Sequence, residues 1–476
     1  MKKHLFFLFF PTFMFGQTTY FEKVFGTSGI EISRSVKQIN TGSIFVFGNS
    51  DAGPFGGNDI SLSKLDRQGN EIWTHYYGTS FTENGFYLNT TADGNFVFVA
   101  EGQSASGLLD ILIYKVDSAG SVIWNKTYAT PVNETAKYIE QTSDGGYIIA
   151  GSQNDALGLN DILVLKLDSN GDYEWHQTLG RAENEIADMI HEINGGYILT
   201  GVTKSYGAGG YDIILYRLDL FGIENWSQPY GDSLQNGCQG LLLTADGNYL
   251  SYGETEIAPA SAFDFYLEKI DTNGVSLWKK IFGGIGSDAI FSVINNGTGG
   301  YIFTGYSNSY SGSGSGPLDL VIMNLDSLGN QIWVQTYGGS GIDIGYEIIK
   351  SVDNDGFILT GKTVDSTEQY YLLKLDGSGV VSEIVNYQNT FYSISNAFPN
   401  PANISVSMKY DITEFSHKGQ IVIYDMLGKA VKEITLSDKK GTAKINVYDL
   451  SAGVYFYSFL VDGKAVSTKK LVVSSQ

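Results

Sequence analysis

The chain has 476 residues, 13% of them aromatic, with 58 glycines, only 8 prolines and a single cysteine, Cys238. That length exceeds what one simple core serves, so two or more units are expected, and a lone cysteine excludes a disulfide framework within the chain. The net charge of −21 argues against nucleic acid as a partner, because phosphate binding needs clustered Lys and Arg.

The amino terminus reads as a targeting segment. Lys2 and Lys3 precede an apolar run over residues 5–10, and Gly16 stands just before Gln17. This is the pattern of a secretory signal peptide over residues 1–16. The run is too short for a membrane anchor and Pro11 interrupts it. No later segment has the length and apolarity to span a bilayer, so no transmembrane segment is expected in the mature protein.

From residue 27 onward one pattern recurs: Asp-x6-Asp-x2-Gly-x3-Trp. Its first copy is Asp59, Asp66, Gly69 and Trp73. The later copies carry Asp117, Gly120 and Trp124; Asp168, Gly171 and Trp175; Asp219, Gly222 and Trp226; Asp271, Gly274 and Trp278; and Asp326, Gly329 and Trp333. These six tryptophans are all the chain has, spaced by 51, 51, 51, 52 and 55 residues. A seventh copy keeps Asp376 and Gly379 but has Gln369 at the first Asp place and Glu383 at the Trp place. A fixed period of this size is the signature of a repeat architecture.

Each period carries four strand signals. In the third copy they fall over residues 134–142, 147–151, 162–167 and 172–179, with Asp-Gly-Gly and Asp-Ser-Asn-Gly turns between them. Glycine in such turns accepts positive φ at low steric cost. Four antiparallel strands per repeat of about 50 residues predict an all-β fold, a seven-bladed β-propeller over residues 17–388. The segment Phe21-Glu-Lys-Val-Phe25-Gly26 matches the fourth-strand pattern, with Phe21 at the Trp place. It is therefore expected to complete the last blade and remove two free edges; residues 380–387 are the competing candidate. The third strands are apolar except for Lys64, Lys115, Lys166, Arg217, Lys269 and Lys374, with Asn324 in the sixth copy. Such a cation is expected to pair with a carboxylate or lie over an aromatic ring.

Composition changes after a linker over residues 389–396. Residues 17–396 hold 18 Lys and Arg against 44 Asp and Glu, whereas residues 397–476 hold 10 against 7. Such a shift marks a domain boundary, and the alternating strands beyond it predict a small Ig-like β-sandwich. The tail opens on Phe398, Pro399, Asn400, Pro401 and Ala402, continues through Gly428 and Gly453, and closes with Lys469 and Lys470 before an apolar strand. It resembles the type A carboxy-terminal sorting domain of the type IX secretion system of Bacteroidota, with Phe398 where Tyr is common. The resemblance implies export to the periplasm, passage through the outer membrane by the type IX machinery, and release or fixation at the cell surface. The repeats are more distantly similar to the tryptophan-docking motif of quinoprotein propellers, with one residue fewer between Asp and Gly, and to kelch repeats.

Candidate chemistry is sparse, and no catalytic, cofactor or metal residue is assigned. Quinone enzymes place adjacent cysteines beside their cofactor, and this chain has only Cys238. The histidines His75, His176, His191 and His417 lack metal-ligand spacing, and no Ser-His-Asp arrangement is legible among them. Asp353-Asn-Asp355-Gly356 lacks the distal Glu of a calcium loop and reads as a hairpin turn. Asp59, Asp110, Asp161, Asp212, Asp264 and Asp319 could line a cation site, but read first as caps of their own loops. Function is expected in the loops before these Asp residues, where the copies differ. The expectation is a secreted or surface-bound binding module for an extracellular glycan or protein; the alternatives are a polysaccharide hydrolase or lyase and a structural surface protein.

Overall fold

The computed structural model describes residues 20–474 except 28, 259–261, 311–317, 354–355, 365–366, 382–391, 396, 413–418, 427–428, 437, 439 and 462–463. Two compact units divide at Val381 and Ser382. The first is all β, built of seven four-stranded antiparallel sheets. Six use consecutive strands spanning residues 31–77, 83–128, 134–179, 185–230, 236–282 and 288–337. The seventh joins Ile342–Lys350, Gly356–Val364 and Glu368–Asp376 to Phe21–Phe25. First strands touch their neighbours on both sides round the whole ring, the seventh meeting the first.

The ring closes by the antiparallel pairing of Phe21–Phe25 with the last blade's third strand, Phe21 opposite Lys374. Residues 382–387, most of the competing candidate, lie outside the described residues, as do the signal segment and half of the linker.

Every residue of the repeat has a mechanical role. The second motif Asp caps the turn after the third strand: Asp66 Oδ1 accepts from the Gln68 and Asn70 amides at 2.9 Å each. Asp117, Asp168, Asp219, Asp271, Asp326 and Asp376 do the same in their blades. These amides hold the Asp168, Asp271 and Asp326 carboxyls below their ordinary range. The motif glycine takes a left-handed φ, +74° at Gly69 and +79° at Gly171. Its open face receives the preceding blade's indole; a β-carbon at Gly171 would stand 2.8 Å from the Trp124 ring, and one at Gly222 2.5 Å from that of Trp175. Gly120, Gly274, Gly329 and Gly379 receive Trp73, Trp226, Trp278 and Trp333 alike, and Gly69 receives Phe21, the side chain at the Trp place of the closing strand. Tyr77, Tyr230 and Tyr337 then donate to the carbonyls of Gly120, Gly274 and Gly379 at 2.7, 2.7 and 2.6 Å. The six indoles are half-buried, so truncating one costs less than the ~3–5 kcal/mol of a fully buried Trp.

The third-strand cations do both things anticipated of them. Lys115 and Lys269 reach Asp93 and Asp246 of the hairpin turn at 2.7 and 2.6 Å while lying over Tyr147 and Tyr301. Lys166 and Lys374 pair with Asp144 and Asp353.

The second unit packs a three-stranded against a four-stranded sheet around Val406, Met408, Ile421, Tyr457, Phe459 and Leu471. The segment opening the tail lies along the last strand. Asn400 donates to the Lys470 carbonyl at 3.0 Å and accepts from the Val472 amide at 2.8 Å, and buried Ala402 bridges in parallel to Val473. Pro399 and Pro401 follow cis peptide bonds. Lys469 donates to the Ile394 carbonyl at 2.8 Å. Phe398, Gly453 and Lys470 are exposed, and Gly428 lies outside the described residues.

Candidate functional site in the central channel

The first strand of every blade carries a β-bulge at the same place, so that one residue per blade is unpaired. A bulge re-aims the extra side chain, and here all seven turn to the channel: Arg34, Phe86, Lys137, Asp188, Gln239, Phe291 and Tyr346 line one cavity of about 360 Å³. The bulge depends on the facing second strand. A β-carbon at Gly48, Gly151, Gly201, Gly253, Gly305 or Gly361 would stand 1.8–2.1 Å from a first-strand carbonyl oxygen. Blade two alone has Ala100 here, and there the first-strand partner is itself glycine, Gly85.

The seven bulged residues are chemically diverse. Phe291 and Tyr346 meet edge to face at 5.1 Å, and Arg34 stacks on Tyr346 at 4.6 Å. Across the ring Lys137 lies 4.8 Å from the Phe86 centroid. Asp188 Oδ2 and Arg34 Nε are buried and without a hydrogen-bond partner. Burial pushes the Asp188 carboxyl up to about 7, with Glu254 adding to the rise and Lys137 opposing it. Burial also raises Glu254 to about 7, against a hydrogen bond from Gln239.

The rest of the wall is tightly bonded. Glu347 accepts from Lys37 at 2.6 Å, Tyr87 at 3.0 Å, Ser35 at 2.7 Å and the Val36 amide at 2.6 Å. His191 meets Glu140 at 2.7 Å and the Leu241 carbonyl at 3.0 Å. These groups are occupied with each other; Asp188 and Arg34 keep polar atoms available in the cavity. Among the described residues no three His, Cys, Asp or Glu converge as a metal centre would need.

Asp188 and Glu254 give stability a definite pH dependence. Both bind their proton more tightly folded than unfolded, so stability should fall as pH rises from about 4 through 7 and level off above. Asp188→Asn should flatten that fall by about one proton's worth of slope, read from melting midpoints between pH 5 and 8. An unchanged slope would contradict the assignment.

Repetition drew attention to the motif, which lies outside the channel: His75 and His176 are exposed, the capping Asp residues sit in turns, and Cys238 is buried beside Thr200. The loops preceding the third strands are largely exposed, with residues 259–261 and 311–317 outside those described.

Fold and channel define a seven-bladed β-propeller protein. Residues 396–474 match the family model of the secretion system C-terminal sorting domain, a type IX sorting tail that indicates secretion or export to the cell surface. No curated protein matches the chain in sequence. Similar solved structures include Drosophila Plexin A in complex with Semaphorin 1b, at 9% identity and TM-score 0.45 over 74% of this chain and 86% of that one. The propeller domain of the Trilobed protease from Pyrococcus furiosus aligns at 8% identity and TM-score 0.40 over 72% and 93%. Puromycin hydrolase aligns at 11% identity and TM-score 0.45 over 80% of this chain and 58% of that one. Among the described residues no helix is long and apolar enough to cross a membrane.

Proposed function

We propose that the protein is a secreted or surface-held module that binds an extracellular saccharide in the mouth of its central channel. The observation carrying this reading is the bulged ring: seven topologically equivalent positions hold six different side-chain types, phenylalanine alone occurring twice, whereas the blade-building residues around them repeat. Rings at Phe86, Phe291 and Tyr346 offer faces for sugar C–H groups, and Arg34, Asp188 and Gln239 offer the convergent polar atoms that fix orientation in a cavity of mixed polarity. Residues 1–16 direct the chain to the periplasm and are removed. The propeller over residues 17–388 is then carried across the outer membrane by the sorting domain over residues 397–476, joined by the linker at 389–396. The source is a member of the Bacteroidota.

A glycan array with the whole mature protein tests this. Binding of a defined glycan, reduced at least about tenfold by Phe291→Ala and by Tyr346→Ala, is expected, a tenfold loss corresponding to about 1.4 kcal/mol. No binding across the array, or binding indifferent to both substitutions, would refute it. One observation favours a second reading: Asp188 in the channel wall and Glu254, which accepts from the channel residue Gln239 at 3.3 Å, are both pushed up to about 7 by burial, as an acid–base pair of a glycosidase would be. Release of reducing ends from a bound glycan, abolished by Glu254→Gln, would identify an enzyme.

A further inference from the structure

The first motif Asp, at the head of each third strand, faces the residue that starts the next blade's first strand. Five junctions bring together two carboxylates: Asp59 with Glu83, Asp110 with Glu134, Asp161 with Glu185, Asp264 with Asp288 and Asp319 with Asp343. The glycine ending the fourth strand sits against the pair. A β-carbon on Gly78 would be 2.7 Å from both Asp59 Oδ1 and Glu83 Oε2, so these oxygens lie no farther apart than twice that distance. Own-loop capping is seen at Asp59, whose Oδ2 accepts from the Phe55 amide at 3.0 Å, and at Asp212, which accepts from the Ala208 amide at 2.8 Å.

The remaining oxygens are left over. Asp59 Oδ1, Glu83 Oε2, Asp264 Oδ1, Asp288 Oδ2 and both oxygens of Asp319 are buried without a donor, in side chains at most 6% exposed. The other two junctions are internal controls. Between blades four and five Asn236 replaces the acid and its amide faces Asp212 Oδ1 at 3.5 Å. Between blades seven and one Gln369 replaces the Asp and donates to the Thr27 carbonyl at 3.1 Å. Neither Asp212 nor Glu31 has an unpartnered buried oxygen. Among the seven junctions, orphaned carboxylate oxygens thus occur only where acid meets acid, at three of the five such pairs.

We propose that these acid–acid junctions are divalent-cation sites, with calcium the fitting ion, set round the face of the propeller that carries the loops between blades. Two buried carboxylates in proximity repel unless a positive charge lies between them. A bridging proton satisfies one oxygen–oxygen contact, whereas Asp319 alone leaves two oxygens open. Calcium takes six to eight oxygen ligands in flexible geometry. The Thr79 and Thr130 hydroxyls beside Glu83 and Glu134, and Ser307 beside Asp288, offer neutral oxygens next to the carboxylates. Extracellular modules commonly hold calcium at about 10⁻⁴–10⁻³ M. This inference stands independently of the channel ligand.

The test is calorimetric titration of the whole mature protein with CaCl₂ at pH 7.4, paired with melting curves in EGTA and in millimolar calcium. Several ions per chain, at most about one per acid–acid junction, and a rise in melting midpoint of about 5 °C are expected. Asp288→Asn, which copies the blade four–five junction, should remove one ion, and Asn236→Asp should add one. The second variant decides the matter if the first fails to fold. In an Asp188→Asn, Glu254→Gln background, which removes the channel's own pH dependence, a midpoint indifferent to calcium but rising as pH is lowered from 7.5 to 5.5 would mean that each pair shares a proton, and would overturn the proposal. A stoichiometry that neither variant alters would overturn it equally.

Discussion

A chain lacking residues 17–26 should lose at least about 3 kcal/mol of stability relative to one beginning at Gln17, and should self-associate. The deletion removes Phe21, which is fully buried and whose truncation to Ala alone is expected to cost about 3–5 kcal/mol. It also removes the ladder to Tyr370–Lys374 and the hydrogen bond from Tyr371 to Glu22. The last blade is then left with an apolar third strand, Glu368–Asp376, as a free edge, and such an edge templates pairing with another copy. Denaturant midpoints and size-exclusion chromatography read the two effects. A deletion variant with unchanged midpoint and monomeric elution would show that the closing strand contributes nothing.

Gly305→Ala should destabilise the protein by about 3 kcal/mol or more and disturb the channel. The added methyl would stand 1.8 Å from the Ala289 carbonyl oxygen, a backbone atom that moves only if the bulge shifts. Strain imposed on a packed sheet costs typically 1–3 kcal/mol or more. Blade two shows how the clash is accommodated, since there Ala100 faces Gly85. Adding Ile290→Gly to Gly305→Ala recreates that arrangement and should restore part of the loss beyond what the two single substitutions sum to. A double-mutant cycle measures that coupling. Additive costs would mean that the glycine has another role.

The fold was legible because its builders repeat. The Asp-x6-Asp-x2-Gly-x3-Trp period exposes the blades directly, and Phe21 was recognisable from its place in the fourth-strand pattern. The channel was hidden for the opposite reason. Arg34, Phe86, Lys137, Asp188, Gln239, Phe291 and Tyr346 share a position but no one residue type, so no periodicity marks them. Their signal lay one strand away, in the glycine that recurs in the second strand at positions 48, 151, 201, 253, 305 and 361. A glycine inside a strand often marks a bulge or close backbone approach. His191 looked isolated because its partners Glu140 and Leu241 belong to neighbouring blades, about one period away in sequence. The loop-capping reading of the first motif Asp holds at Asp59 and Asp212 and misses the facing acid, because that acid comes from the next repeat.

Closing the ring with the chain's own beginning also sets the timing of assembly. Tyr371 and Glu22 are bonded across 349 residues, so the first strand to be synthesised waits for almost the last of the propeller before it finds its place. Contacts of such separation form late, and loop-closure entropy opposes them until the intervening blades are in place. During synthesis the ring therefore stays open and its amino-terminal segment free. On the proposed export route, that delay suits a chain that crosses the inner membrane extended.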